Sequence, residues 1–310
     1  MFDIIRYTAD KETEWDSFIE HSKNGTFLLK RGYMDYHSYR FSDHSLMFYL
    51  KKKLYALLPA NLDDCTLYTH QGLTYGGVIM SEQCTTENIL NLFCEMNEWL
   101  KERGIHTVVY KAIPHIYSTQ PSEEDLYALF RCGAQLKARG ISTCIDLHNP
   151  LKWRQNRRTA LNKAKDKYII VEKSDQLETF WQILEKNLAQ AHGIQPVHRI
   201  DEMQLLKSRF PENIELWVAR NSERSMIAGI LLYITKNVIH SQYISATDEG
   251  KANGAIDAIM QEILKMDFPY FDFGISTEQN GNYLNSTLIF QKEGFGGRGI
   301  CYDIYEYTLS

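Results

Sequence analysis

Residues 245–260, SATDEGKANGAIDAIM, set two glycines, Gly250 and Gly254, between an apolar run and an amphipathic helix. Upstream, VIHSQYI (238–244) reads as a strand; downstream, Ile256, Ile259, Met260, Ile263 and Leu264 recur on one helical face. A strand that turns through a glycine-rich segment into a helix gathers backbone N–H groups and the positive end of a helix dipole at one point. Such a point binds anions. An ordinary strand-to-helix turn has the same composition, so the surrounding order of elements decides between the two.

Working outward, residues 168–172 read as a strand, and Ser174 or Asp175 can cap a helix carrying Leu177, Phe180, Trp181, Leu184 and Leu188. The loop HGIQPVHR (192–199) precedes a short helix over 201–209 that Pro211 ends. Residues 215–220 and 226–234 form a hairpin around NSERS, followed by the strand over 238–244. After the helix come a buried strand at YFDF (270–273), a helix over 284–293 and a closing strand over 300–309. The order is β-α-α-β-β-β-α-β-α-β.

A comparable order runs through the first half. A strand over 3–7 leads to helices over 15–21 and 33–41 and to a hairpin of 46–50 with 54–59. The helix over 86–103, stopped by Gly104, is followed by a strand over 107–110, a helix over 122–131 and a strand over 141–147. One supersecondary order met twice points to duplication. The expected fold is α/β, with two tandem units at 1–150 and 151–310, each a twisted mixed sheet flanked by helices.

Bulk properties narrow the function. A net charge of −5 over 310 residues argues against binding nucleic acid over the whole surface, while leaving room for a local basic groove. No apolar run reaches the length of a membrane span, so membrane insertion is not expected, and residues 1–15 lack the pattern of a secretory signal. The six cysteines are scattered with no metal-ligand spacing; no metal is expected, and reduced thiols in a cytoplasmic chain are the simple reading.

The doubled order resembles the GNAT superfamily of acyltransferases, and its tandem form resembles the FemABX-type and related tandem-GNAT proteins, which include peptidoglycan aminoacyltransferases. The residues that carry the resemblance are DEGKANGA (248–255), FDFGIS (271–276), LIFQKEGFGG (288–297) and the junction RQNRRTALNKAKDKYIIVEKS (154–174). The resemblance implies that the second unit holds a coenzyme A or acetyl-coenzyme A donor, its pyrophosphate on Lys251, Asn253, Gly254, Ala255 and Ile256. Ile256 stands where the GNAT pattern has a small residue. The resemblance also sets Phe290 where many GNAT enzymes have a proton-donating tyrosine, and Lys292 where the FemABX pattern has a lysine. A cation there can neutralise a phosphate or a developing oxyanion, or it can be a solvated lysine near a helix C-terminus. The segment THQGLTYGG (69–77), with Tyr75, resembles the part of FemABX-like proteins that approaches an acceptor groove between the units; its glycines equally make a turn.

Other candidates come from the residues themselves. The junction 152–167 carries seven cations against Asp166 alone, and Arg157 and Arg158 are the candidate anion contacts, although such runs are commonly solvated helix faces. His198 is a candidate base, oriented by Glu202 if both lie on the helix, or else a packing histidine. Asp272, inside FDF, needs a partner or a function if buried, and Ser276 flanks the same strand end.

The expected activity is transfer of an acyl group to an amine or hydroxyl, by direct attack, since no Ser/His or Cys/His pairing is evident. The acceptor is a small molecule or a cell-wall or sugar precursor. Two alternatives stand beside it: an aminoacyltransferase using aminoacyl-tRNA, and a non-catalytic ligand-binding module.

Overall fold

The structure, a computed structural model, describes residues 1–309, apart from the side chains of residues 191 and 192. In chain order the first elements are β1 (Phe2–Arg6), α1 (Glu12–His21), α2 (Arg31–Met34), β2 (Ser42–Asp43), β3 (Leu46–Leu50) and β4 (Lys53–Leu58). The chain continues through β5 (Asn61–Asp63), β6 (Thr66–Tyr68), β7 (Ile79–Met80), α3 (Thr86–Lys101), β8 (Thr107–Lys111), α4 (Glu124–Arg131) and β9 (Gln135–Asp146). Next come α5 (Gln155–Asp166), β10 (Ile170–Ser174), α6 (Leu177–His192), α7 (Ile200–Arg209), β11 (Ile214–Arg220), β12 (Met226–Ile234) and β13 (Val238–Ala246). The last are α8 (Asp248–Ala252), α9 (Ala255–Ile263), β14 (Tyr270–Ile275), β15 (Thr277–Glu278), β16 (Tyr283–Leu284), α10 (Ser286–Glu293) and β17 (Arg298–Thr308).

These elements form two compact units. Unit 1 comprises Met1–Ile141 with Thr277–Tyr283 and Cys301–Ser310, and unit 2 comprises Ser142–Ser276 with Leu284–Ile300. Unit 1 has a small sheet, β1-β3-β4-β7, and a second sheet in which residues of β9 and β17 continue into β8-β6-β5-β2. Its α3 is capped by the Thr85 side chain on the Asn88 amide and buries Ile89, Leu92, Phe93, Met96 and Leu100, the stripe that its sequence spacing predicts. The helix expected over 33–41 is instead the four-residue α2 and a 3-10 stretch broken at His37, whose φ of −124° leaves the helical region. The strands β5, β6 and β7 are too short for a period-2 pattern to show.

Unit 2 has the sheet β10-β11-β12-β13-β14, joined by the β9 residues from Ser142 onward. Its pairs are antiparallel except β13 with β14, which is parallel. On one face Ile230, Leu232, Ile239, Phe271 and Phe273 pack with Ile259, Met260 and Ile263 of α9. On the other face Trp181 of α6 meets Tyr243, and the Tyr233 hydroxyl reaches Met203 of α7. The β13–β14 register runs only from Val238↔Tyr270 to His240↔Asp272. Beyond it the two strands part, and this gap positions the site.

Candidate functional site

A cavity of about 580 Å³ opens in unit 2 beside the gap, walled by Ile244 of β13, Phe273 of β14, α5, α10 and the start of α9. Ile244, Ile256, Phe273, Leu288 and Phe295 give it apolar walls, and Arg157, Lys251, Asp257 and Lys292 bring charge.

The glycine-rich stretch is not a loop of idle amides. Thr247 caps the one-turn α8, its hydroxyl accepting from the Gly250 amide and its carbonyl from the Lys251 amide, while the Asn253 amide donates to Glu249. Gly254 then turns the chain at φ +72° into α9. A Cβ on Gly254 would lie 2.1 Å from the Ala160 carbonyl of α5, so this glycine serves close helix packing. The anion-binding capacity at this point is that of the first turn of α9, whose leading amides have no intrahelical acceptor; Ala255 and Ile256 both line the cavity. Lys251 sits at the rim, exposed, with its amine 3.0 Å from Asn187 Oδ1.

Arg157 and its neighbour Arg158 separate sharply. Arg158 is exposed and bonds Gln155 on its own helix. Arg157 enters the cavity wall: Nη1 donates to Asp257 at 3.3 Å, Nη2 to the Gln291 carbonyl at 3.1 Å, and the guanidinium lies 4.2 Å from the Phe295 ring centre. Its Nε is buried and has no acceptor among the described residues. Burial raises the Asp257 pKa, with Arg157 opposing.

Lys292 is buried beside the same cavity, and its amine donates to the carbonyls of Gly274 at 2.8 Å and Ile275 at 2.9 Å. An ammonium has three N–H bonds, so these two leave one. Burial pushes its pKa down to about 8, with the Asp272 carboxylate working against the fall. Phe290 is exposed and lies 4.3 Å from the Arg154 guanidinium, without a proton to give.

Asp272 faces away from this cavity, because Phe271 and Phe273 on either side of it pack toward α9. It is fully buried; Ser142 Oγ donates to its Oδ1, and its Oδ2 lies 2.9 Å from His240 Nδ1. His198 lies in the loop before α7, with Nδ1 2.8 Å from the Tyr243 hydroxyl, while Glu202 on that helix accepts the Arg199 amide. Ser276 is buried just past β14, its hydroxyl without a partner among the described residues. Tyr75 belongs to unit 1, where its hydroxyl lies 3.0 Å from Thr26 and its ring packs on Tyr117.

The structure thus brings Arg157, Lys251, Gly254, Ala255, Ile256 and Lys292 to one cavity and sets Asp272 at the fork of the two strands. Sequence reasoning missed Asp257, Ser142 and His240. Nothing in the sequence set His240 apart from its polar neighbours Ser241 and Gln242 in the same strand. Among the described residues, no group of three or more His, Cys, Asp or Glu is placed to hold a metal ion, and no helix is long and apolar enough to cross a membrane.

No family model matches the sequence, and no curated protein is significantly similar to it. Solved structures are similar in fold over nearly the whole chain. FemX is 12% identical with a TM-score of 0.69, covering 99% of this chain and 97% of that one. The C-terminal domain of a protein assigned as a lysylphosphatidylglycerol synthetase, from Agrobacterium fabrum, is 13% identical with a TM-score of 0.62, covering 98% and 93%. A tandem GNAT protein from the clavulanic acid biosynthesis pathway is 10% identical with a TM-score of 0.51, covering 100% and 99%. At these identities the likeness is one of architecture, and the order of elements, the parted parallel pair and the two units agree in assigning it: this chain has the tandem GNAT-like fold.

Proposed function

We propose that this chain is an acyltransferase in which unit 2 holds an acyl-coenzyme A donor and an amine or hydroxyl attacks it directly. The observation that carries the reading is Lys292, a buried amine with a depressed pKa, anchored by two backbone carbonyls beside a cavity that also receives the start of α9. The Arg157 guanidinium in the cavity wall and the leading amides of α9 fit an anionic group on the donor. Such a donor supplies an activated carbonyl and a thiolate leaving group.

The protein's own contribution is position and charge. Ile244, Phe273 and Phe295 exclude water from the cavity wall, which strengthens electrostatic contacts inside it. Lys292 keeps one N–H for negative charge that develops at the acyl oxygen or the leaving sulfur. Its pKa of about 8 lies close to that of a free thiol, near 8.5, so it is matched to protonate a departing thiolate. It takes the part that the apolar Phe290 is unable to play.

A second reading, an aminoacyl donor carried on tRNA, is favoured by the position of Lys292 and by the likeness to FemX and to the synthetase domain. Thermal shift and thiol release separate the two. Coenzyme A and acetyl-coenzyme A are expected to raise Tm, because they bind only the folded chain, and acetyl-coenzyme A is expected to release thiol in the presence of a suitable amine. Absence of both effects, with transfer from an aminoacyl-tRNA instead, would replace the first reading by the second. A Tm rise without transfer to any amine or hydroxyl would favour a non-catalytic binding module.

A further inference from the structure

We propose that His240 accepts the proton of the attacking amine or hydroxyl, with Asp272 and Ser142 as its positioning residues. The inference rests on the acyl-transfer reading above and names the group that activates the acceptor.

His240 and Asp272 are the last register pair of β13 and β14, so the imidazole sits where the strands separate. His240 Nδ1 lies 2.9 Å from Asp272 Oδ2, and Ser142 Oγ holds the other carboxylate oxygen. A carboxylate only accepts, so the Nδ1 nitrogen carries the proton and the lone pair resides on Nε2. The carboxylate is fully buried and bonded from neighbouring strands on both sides, which fixes the ring plane. A nitrogen base oriented in this way by a third group is the arrangement used to deprotonate a nucleophile.

Gly274 connects this pair to Lys292. It has φ +76°, and a Cβ built on it would lie 3.2 Å from His240 Cε1 and 3.8 Å from Nε2, while its carbonyl accepts the Lys292 amine. One glycine therefore stands between the imidazole and the ammonium, and a side chain there would press on the ring. Tyr233, directly across from His240 on β12, and Asp272 place the imidazole on the α6–α7 face of the sheet, whereas Lys292 lines the cavity. In the proposed arrangement the nucleophile comes from the His240 side of the strand fork to an acyl carbon held beside Lys292, with Gly274 between the two groups. Titratable groups around the imidazole include Asp272 on β14, Tyr233 on β12, Cys144 of β9 opposite Asp272, and Lys292 on α10; the His198–Tyr243 pair lies on the same face.

In the step, the acceptor's lone pair forms the bond to the acyl carbon and its proton passes to His240 Nε2. The acyl carbon–sulfur bond breaks, its electron pair leaves on sulfur, and Lys292 gives that thiolate a proton. Exchange with solvent restores both groups.

The test has one arm that needs no turnover. In the full chain labelled with ¹⁵N-histidine, two-bond ¹H–¹⁵N correlation is expected to show His240, identified by its loss in His240→Gln, as the Nδ1–H tautomer. Asp272→Asn is expected to give a mixed tautomer. A wild-type Nε2–H tautomer overturns the assignment. In the second arm, His240→Gln is expected to lose about 10²-fold or more in kcat with acetyl-coenzyme A and an accepted amine, with the donor KM unchanged. Ser142→Ala, which keeps the imidazole if the other variants fail to fold, is expected to lose about fivefold, one buried hydrogen bond's worth. Thiol release that survives His240→Gln overturns this assignment alone. A wild-type protein that transfers from no acyl-coenzyme A overturns the reading of the site, and this assignment with it.

Discussion

Arg157 of α5 reaches across to Asp257 in the first turn of α9, 3.3 Å between Nη1 and Oδ1, and so ties the junction helix to the helix that follows the glycine-rich stretch. The carboxylate is buried and its pKa is raised in spite of the arginine, which shows that burial outweighs the pairing. The pair is a fastening that also holds Arg157 in the cavity wall.

Removing the cation should expose the imbalance. Arg157→Gln is expected to destabilise the chain by about 2–3 kcal/mol, below the usual figure for a broken buried pair because the arginine is partly exposed and the contact is long. The variant raises the folded pKa of Asp257 further. That penalty is full above the folded pKa and vanishes below the unfolded value near 3.9, so the deficit should shrink between pH 7 and pH 4. Urea unfolding at both pH values measures it; a deficit independent of pH would mean that Arg157 acts through packing on Phe295 instead.

Lys292 carries the opposite sign. Its folded pKa of about 8 lies below the unfolded value near 10.5, so the unfolded chain binds the extra proton between those values and stability rises with pH across that window. Relative to Lys292→Met, the wild type should gain about 3 kcal/mol between pH 7 and pH 10.5. Parallel unfolding curves with no such divergence would show an ammonium far better solvated than its burial implies. In transfer assays the same variant is expected to lose about 10²-fold or more in kcat, as when a preorganised donor is removed.

Gly254 and Gly133 have the same φ of +72°, but only Gly254 is crowded: its added Cβ would lie 2.1 Å from a backbone carbonyl, while Gly133 has nothing within 4 Å. Gly133→Ala is expected to cost about 1 kcal/mol from backbone strain alone. Gly254→Ala should cost at least twice as much, because α5 must move away from α9, and it should also weaken any coenzyme A thermal shift. Equal losses would mean that the α5–α9 contact yields easily.

Unit 1 contains a separate pH-sensitive group. Asp125 is buried against the Tyr110 hydroxyl at 2.5 Å, and burial raises its pKa to about 6. The folded chain therefore binds this proton more tightly than the unfolded one, and stability falls as pH rises from about 4 to 6, by roughly 3 kcal/mol in all. Asp125→Asn should flatten that part of the stability profile. A profile unchanged by the substitution would assign the slope to other groups.

Much of this architecture was legible without coordinates. The helices α3, α6 and α9 and the strands of unit 2 announce themselves by apolar spacing, and the element order they generate is the tandem GNAT-like order. DEGKANGA was correctly placed between strand and helix, but its division into a capped turn and a left-handed glycine was not visible, since both depend on which amides Thr247 and Glu249 capture. Arg157 and Arg158 were indistinguishable as neighbours; a rotation of about 100° between successive helical residues puts one in the cavity and the other in water.

By itself the sequence determined what is local: the period of the longer elements, their caps and breakers, and the succession in which those elements follow one another. These rest on interactions between residues one to four positions apart, which composition and spacing record. Tertiary structure decided the chemistry. His240 and Asp272 are 32 positions apart and meet only because β13 and β14 pair in parallel for three residues before parting, and Lys292 reaches Gly274 only because α10 packs beside that gap. Nothing in a run of residues encodes where two distant strands separate, because that point is set by the packing of whole helices against both faces of the sheet.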